Sequence, residues 1–176
     1  MIILYKKLSQ KLKDAFKQCR LLVFDFDGVM TDNGVYIDQD GRETVRCDRG
    51  DGMGVPLLCK LGGVELVIIS TEKNPIVAKR AEKLKIACWH GVDDKRELLK
   101  REMTRRNLQP SEVGYVGNDV NDLGCFVEVG LAIAVADAYE QVLKRADYIT
   151  AHPGGRGAVR EICELMLYAK NAHPFS

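Results

Sequence analysis

The chain has 176 residues, 29% of them charged and 46% hydrophobic, with a net charge of +1. That is the balance of one soluble globular domain with a core of its own. It excludes a broad nucleic-acid footprint, because acidic and basic residues alternate and nearly cancel. No apolar run approaches membrane-spanning length, and the first residues lack the basic-then-apolar order of a signal peptide. Six dispersed cysteines (Cys19, Cys47, Cys59, Cys88, Cys125, Cys163) form no Cys-x-x-Cys pair. They are expected as small core residues in a reducing cytoplasm, not as zinc ligands.

In chain order, Leu4, Leu8, Leu12 and Phe16 recur every four residues and predict one amphipathic helix within 1–18. Leu21-Leu22-Val23-Phe24 is too short for a helix and carries no polar residue, so it reads as a strand buried on both faces. It runs directly into Asp25 and Asp27, two carboxylates on one side of an extended chain, and Gly28 permits a sharp turn beyond them. Two short alternating segments around Asp40-Gly41 then predict a β-hairpin over 33–48. A short helix over Val55–Leu61 closes at Gly62-Gly63.

Apolar strands at Val64–Ile69, Lys85–Trp89, Val113–Val116, 131–135 and 147–150 alternate with helices from Pro75, over 94–106, 120–128, 137–145 and 156–169. This rhythm predicts an α/β domain with a parallel central sheet flanked by helices on both faces. Right-handed connections would then bring the strand ends to one rim. The rim collects Asp25 and Asp27, Ser70 and Thr71, Lys95, and the loop of Asn118, Asp119 and Asp122. Such a set suits phosphate transfer. One carboxylate attacks phosphorus, its neighbour shuttles a proton, and a divalent cation screens the charge. A hydroxyl and helix-start amides hold the phosphoryl oxygens and a lysine offsets developing charge. The cation expected for carboxylate, carbonyl and water oxygens is Mg2+.

The four stations, Asp25-Phe26-Asp27-Gly28, Ser70, Lys95 and Gly117-Asn118-Asp119-Val120-Asn121-Asp122, resemble the motifs of the haloacid dehalogenase superfamily. Met30-Thr31-Asp32, the hairpin, Asp51-Gly52-Met53-Gly54, His90-Gly91-Val92-Asp93-Asp94-Lys95 and Gly154-Gly155-Arg156-Gly157 narrow the resemblance. It is to the branch of 3-deoxy-D-manno-octulosonate 8-phosphate (KDO 8-phosphate) phosphatases. That branch also holds sialic-type nonulosonate 9-phosphate phosphatases and the phosphatase-like tail of CMP-sialate synthetases. The resemblance implies a Rossmann-like fold with a hairpin flap after the first strand and no large cap domain. It implies Asp25 as nucleophile, Asp27 as general acid and base, Ser70 with Thr71 on the phosphoryl group and Lys95 as its counter-charge. It places Mg2+ on Asp25, Asp27, Asn118, Asp119 and Asp122. It also implies a homotetramer in which each hairpin closes a neighbour's site.

Two positions depart from that pattern. Asn118 stands where the family usually carries a metal-ligating aspartate, which removes one negative charge. Ser70-Thr71-Glu72 replaces the Thr-Gly-Arg of octulosonate phosphatases. Glu72 is expected to accept hydrogen bonds from a sugar, Lys83 and Arg80 to bind a sugar carboxylate, and Gly52 to line the substrate site. The leading expectation is a phosphatase of an acidic 3-deoxy-2-ulosonate phosphate, with eight or nine carbons left open. The alternative is a weakly active or inactive oligomerisation module associated with a sialate cytidylyltransferase. A phosphorylated receiver domain also uses acids and a lysine at strand ends, but it has no Asp-x-Asp-Gly followed by a hairpin.

Overall fold

The computed structural model describes residues 1–174; the last two positions of the unit expected over 1–176 lie outside them. The amino-terminal segment forms two helices, α1 (Ile2–Lys7) and α2 (Gln10–Gln18), where the residue spacing predicted one. Ser9 accounts for the break. Its backbone is extended, and its hydroxyl accepts from the Leu12 amide at 3.3 Å as the cap of α2. The apolar face survives the break, with Phe16 buried and Leu4, Leu8 and Leu12 packed against the core.

After β1 (Leu21–Phe24) come β2 (Thr31–Ile37), β3 (Glu43–Cys47), α3 (Arg49–Leu57), β4 (Glu65–Ile69), α4 (Ile76–Leu84), β5 (Ala87–Trp89) and α5 (Lys95–Arg105). The remainder is β6 (Val113–Gly117), α6 (Leu123–Phe126), β7 (Leu131–Ala134), α7 (Glu140–Leu143), β8 (Tyr148–Ile149) and α8 (Ala158–Ala169). Six strands make one parallel sheet in the order β5-β4-β1-β6-β7-β8. Every residue of β1 is buried, as an unbroken apolar strand at the centre of a parallel sheet must be. Helices α2, α3 and α8 pack together as one group and α5 with α6 as another.

Two helix boundaries differ from expectation for local reasons. The segment expected as a helix from Val55 already starts at Arg49, because the Asp48 carboxylate accepts from the Gly50 amide at 2.6 Å and the Asp51 amide at 3.1 Å. It runs on as a π-helical turn through Leu58–Gly62. The helix expected over 120–128 is a 3-10 turn, Val120–Asp122, followed by the short α6. There the carboxylates of Asp119 and Asp122 bind nearby amides and tighten the first turn.

Strands β2 and β3 pair antiparallel as a separate hairpin. Thr31 at its base is buried, whereas Val35, Tyr36 and Ile37 are 53%, 63% and 66% exposed. The base is fastened to the loop before α8. Arg46 donates to the Gly155 carbonyl at 2.9 Å, and the Arg46 and Arg156 guanidiniums both approach Asp32, at 3.3 and 3.4 Å. The Gly155 amide donates to the Val29 carbonyl at 2.9 Å. The approach is so close that a Cβ on Gly154 would overlap the Gly28 carbonyl. Gly154→Ala is therefore expected to lower unfolding free energy by about 2 kcal/mol through backbone overpacking, as measured by urea denaturation.

Candidate active site

Parallel register builds the site. Phe24 sits opposite Ile68 on one side and Val116 on the other. The residues just beyond β1, β4 and β6 therefore emerge together: Asp25, Ser70 and Asn118. The Asp25 amide continues the ladder by donating to the Val116 carbonyl at 2.9 Å. The lysine arrives from elsewhere. Asp94 caps α5 by accepting from the Glu97 amide at 2.9 Å, and Lys95 is the first residue of that helix, with its side chain turned inward.

Lys95 Nζ lies 2.8 Å from Asp25 Oδ1 and 2.9 Å from Asp122 Oδ1, and all three side chains are buried. Burial alone would lower the lysine's pKa, but the two carboxylates more than reverse this and raise it, so Lys95 is held cationic. For Asp25 the balance runs the other way. Burial and then the Asp122 charge push its carboxyl up to about 7 against the pull of Lys95 and the Phe26 amide. Lys95 Nζ and the Phe26 amide (2.7 Å) both lie against Asp25 Oδ1. Asp27 is half-buried, and burial followed by the Glu72 charge raises its pKa, which favours the protonated form of a general acid.

A cleft of about 90 Å³ is lined by Asp25, Asp27, Asn33, Ser70, Thr71, Asn118, Asp119 and Asn121. Ser70 Oγ accepts from the Glu72 amide at 3.1 Å, which leaves its own hydrogen free to donate into the cleft. A second hollow of about 50 Å³ shares Asp27 and is walled by Val35, Glu43, Val45, Glu72, Asn74 and Ile76. Glu72 is held there by the Asn74 amide at 2.7 Å. A larger hollow of about 310 Å³ lies beside Trp89 and Leu98 and contains none of these groups.

Among the described residues no group of three or more His, Cys, Asp or Glu side chains is arranged to hold a metal ion. The donor set at the rim is of another kind. Asn118 is buried, and its Oδ1 has no hydrogen-bond partner among the described residues. It lines the same cleft as Asp25, Asp27 and Asp119. An orphaned amide oxygen beside two carboxylates fits a hard cation. Gly28 makes room for it: its φ is +76°, and a Cβ there would overlap the Asn118 amide.

Several residues expected at the site stand elsewhere. Asp122 was expected as a metal ligand. Its Oδ1 instead accepts from Lys95 and from the Tyr115 hydroxyl at 2.8 Å, and its Oδ2 from the Asn118 and Asp119 amides at 3.0 and 3.3 Å. Four donors thus occupy both oxygens. Arg80, Lys83 and Gly52 line neither cleft nor hollow. Arg80 donates to the Asp48 carbonyl at 2.9 Å, packed against Gly52, and Lys83 is exposed late in α4. Sequence reasoning passed over Asn33, Asn121, Glu43 and Tyr115. Asn33 carried one signal, its place in an Asn-Gly pair at the start of the hairpin, and it adopts a positive φ of 61°. Tyr115, inside an apolar strand, carried none.

A parallel sheet whose central strand ends in Asp-x-Asp, with a buried lysine against the first acid, marks a phosphomonoesterase of the α/β class. The comparisons agree. A profile of the haloacid dehalogenase-like hydrolases matches residues 72–162. The 3-deoxy-D-manno-octulosonate 8-phosphate phosphatase of Salmonella typhi is 36% identical over 168 residues, 94% of this chain and 88% of that protein. That of Escherichia coli K12 is 38% identical over the same shares, 94% and 88%. The solved structure of the Yersinia pestis phosphatase superposes with a TM-score of 0.90 at 34% identity, covering 94% of this chain and 89% of that one. The Moraxella catarrhalis phosphatase, solved with magnesium ion, phosphate ion and KDO, gives 0.89 at 34% identity, covering 93% and 94%. The chain belongs to the haloacid dehalogenase-like hydrolase family.

Lys95→Met would leave two buried carboxylates facing each other without a cation. A loss of about 3 kcal/mol in unfolding free energy at neutral pH is expected by urea denaturation, together with loss of turnover.

Proposed function

We propose that the protein is a magnesium-dependent phosphatase that removes the terminal phosphate of an acidic 3-deoxy-2-ulosonate, with KDO 8-phosphate as the leading substrate. The observation that carries this reading is the buried Lys95–Asp25 contact at 2.8 Å on the rim of the parallel sheet. The substrate is inferred from the named activity of relatives that match nearly the whole chain.

Asp25 acts as the nucleophile through Oδ2, with Lys95 and the Phe26 amide holding Oδ1. Its attack forms an aspartyl-phosphate and breaks the bond between phosphorus and the sugar oxygen, while Asp27 protonates the departing oxygen. Asp27 then takes a proton from water; the resulting attack on phosphorus releases inorganic phosphate and restores Asp25. The Ser70 hydroxyl and the Thr71 amide donate to the phosphoryl oxygens, and Lys95 offsets the charge that develops on them. Asp25, the Asp27 carbonyl and Asn118, with Asp119 nearby, would hold magnesium, which would supply the positive charge that lets carboxylates approach a phosphate. The hollow beside Asp27, with Glu72 as acceptor, receives the sugar. Glu72 keeps nonulosonate 9-phosphates as the second substrate class.

The exposed apolar hairpin supports assembly into a homotetramer in which it covers a neighbour's cleft. Association with a sialate cytidylyltransferase belongs to the alternative reading, an assembly module without turnover.

With magnesium, Asp25→Asn is expected to cut phosphate release from KDO 8-phosphate by at least about a thousandfold. Mass spectrometry of quenched wild-type enzyme should find phosphate covalently bound at Asp25. Equal rates in wild type and variant would sink the mechanism, and a wild type that releases no phosphate would favour the assembly module. Side-by-side assays of KDO 8-phosphate and a nonulosonate 9-phosphate decide the chain length. Asn118→Asp should tighten magnesium binding by about an order of magnitude in calorimetry, because it adds a charge at the ligand position; unchanged affinity would remove Asn118 from the ligand set.

A further inference from the structure

Tyr115 lies in the middle of β6, directly across from Val23 in the central strand, and is fully buried. A phenylalanine would fill nearly the same volume there without burying a hydroxyl, which costs free energy unless it is hydrogen-bonded. The hydroxyl's partner is specific: Asp122 Oδ1 at 2.8 Å, the same oxygen that holds Lys95 Nζ at 2.9 Å. The ring itself is set edge-on against Phe126, with centroids 6.1 Å apart.

We propose that Tyr115 is a positioning residue for phosphoryl transfer, fixing Asp122 so that Asp122 holds Lys95 against Asp25 and the cleft. This rests on the phosphatase reading above. Asp122 reaches both arms of the site, since its other oxygen binds the amides of Asn118 and Asp119 at 3.0 and 3.3 Å. With the phenol in place, the carboxylate plane is fixed from two directions. The ammonium between Asp122 and Asp25, at 2.9 and 2.8 Å, then has one place to sit. Without the phenol, Asp122 Oδ1 answers to Lys95 alone. The carboxylate, still anchored through Oδ2 by the Asn118 and Asp119 amides, can swing Oδ1 about that anchor, and the lysine can follow it away from the nucleophile. Burial raises the phenol's own pKa far above its usual range, so it remains a donor throughout. Tyr115 touches no reacting atom; its effect passes through Asp122.

Tyr115→Phe keeps the ring and removes the donor. A loss of about tenfold in kcat is expected, the size of a hydrogen bond to a charged group, with KM rising by no more than about fivefold. Combined with Asp122→Asn, it should cost no more than Asp122→Asn alone, because the two act through one path. The affinity for inorganic phosphate with magnesium, read by calorimetry, should fall about fivefold in Tyr115→Phe and needs no turnover. Wild-type kcat and wild-type phosphate affinity in a folded Tyr115→Phe would overturn the proposal and leave Tyr115 as core packing. Independent, multiplying losses in the double variant would also overturn it. A wild type that binds phosphate without turnover removes the phosphatase reading while calorimetry still decides Tyr115. A wild type that does neither overturns both.

Discussion

The rest of the site depends on one buried cation between two buried carboxylates. Lys95 is nearly inaccessible, as are Asp25 and Asp122. Three such charges are tolerable together only because each faces an opposite one at hydrogen-bond distance. The arrangement leaves a net negative charge in the protein interior. The Phe26 amide, the Tyr115 hydroxyl and the amides of Asn118 and Asp119 disperse it. The consequence for chemistry is geometric. Asp25 cannot turn freely, because Lys95 and Phe26 hold one of its oxygens, and the other is left for the cleft.

Close backbone packing supports this electrostatic centre. Gly28 yields space to the Asn118 amide, and Gly154 yields space to the Gly28 carbonyl, so three loops meet where no side chain fits. The hairpin leaves from the same place and is tied down at its base by Arg46, Asp32 and Arg156. Asp27 sits at the junction, facing the phosphate-sized cleft on one side and the hollow with Glu43 and Glu72 on the other. In the proposed mechanism this places the residue that first gives and then takes a proton between the phosphate and the sugar of its substrate.

Much of the fold was legible because hydrophobic runs and turn residues act locally. Leu21–Phe24, uninterrupted and short, had to be a buried parallel strand, and it is the centre of the sheet. Helix edges were less legible, since single caps decide them: Ser9 split one helix, and Asp48 began another early. At the site, Asp25, Asp27, Ser70, Thr71, Asn118 and Asp119 line one cleft as their strand-end positions implied. Arg80 and Lys83 do not, because helix spacing told which residues neighbour each other but not which way α4 presents them, and Gly52 lies in α3 packed against Arg80.

The sequence by itself determined the element order, the parallel sheet and the strand ends that carry polar groups, since each follows from a local pattern of apolar and turn-forming residues. It also determined the departure at Asn118, which is a matter of identity alone. The tertiary structure decided what each of those groups does. Four donors from three segments converge on the Asp122 carboxylate, one of them Tyr115 from an apolar strand. Such roles arise between residues distant in the chain, where distance and burial set the electrostatics and local sequence carries no record of either.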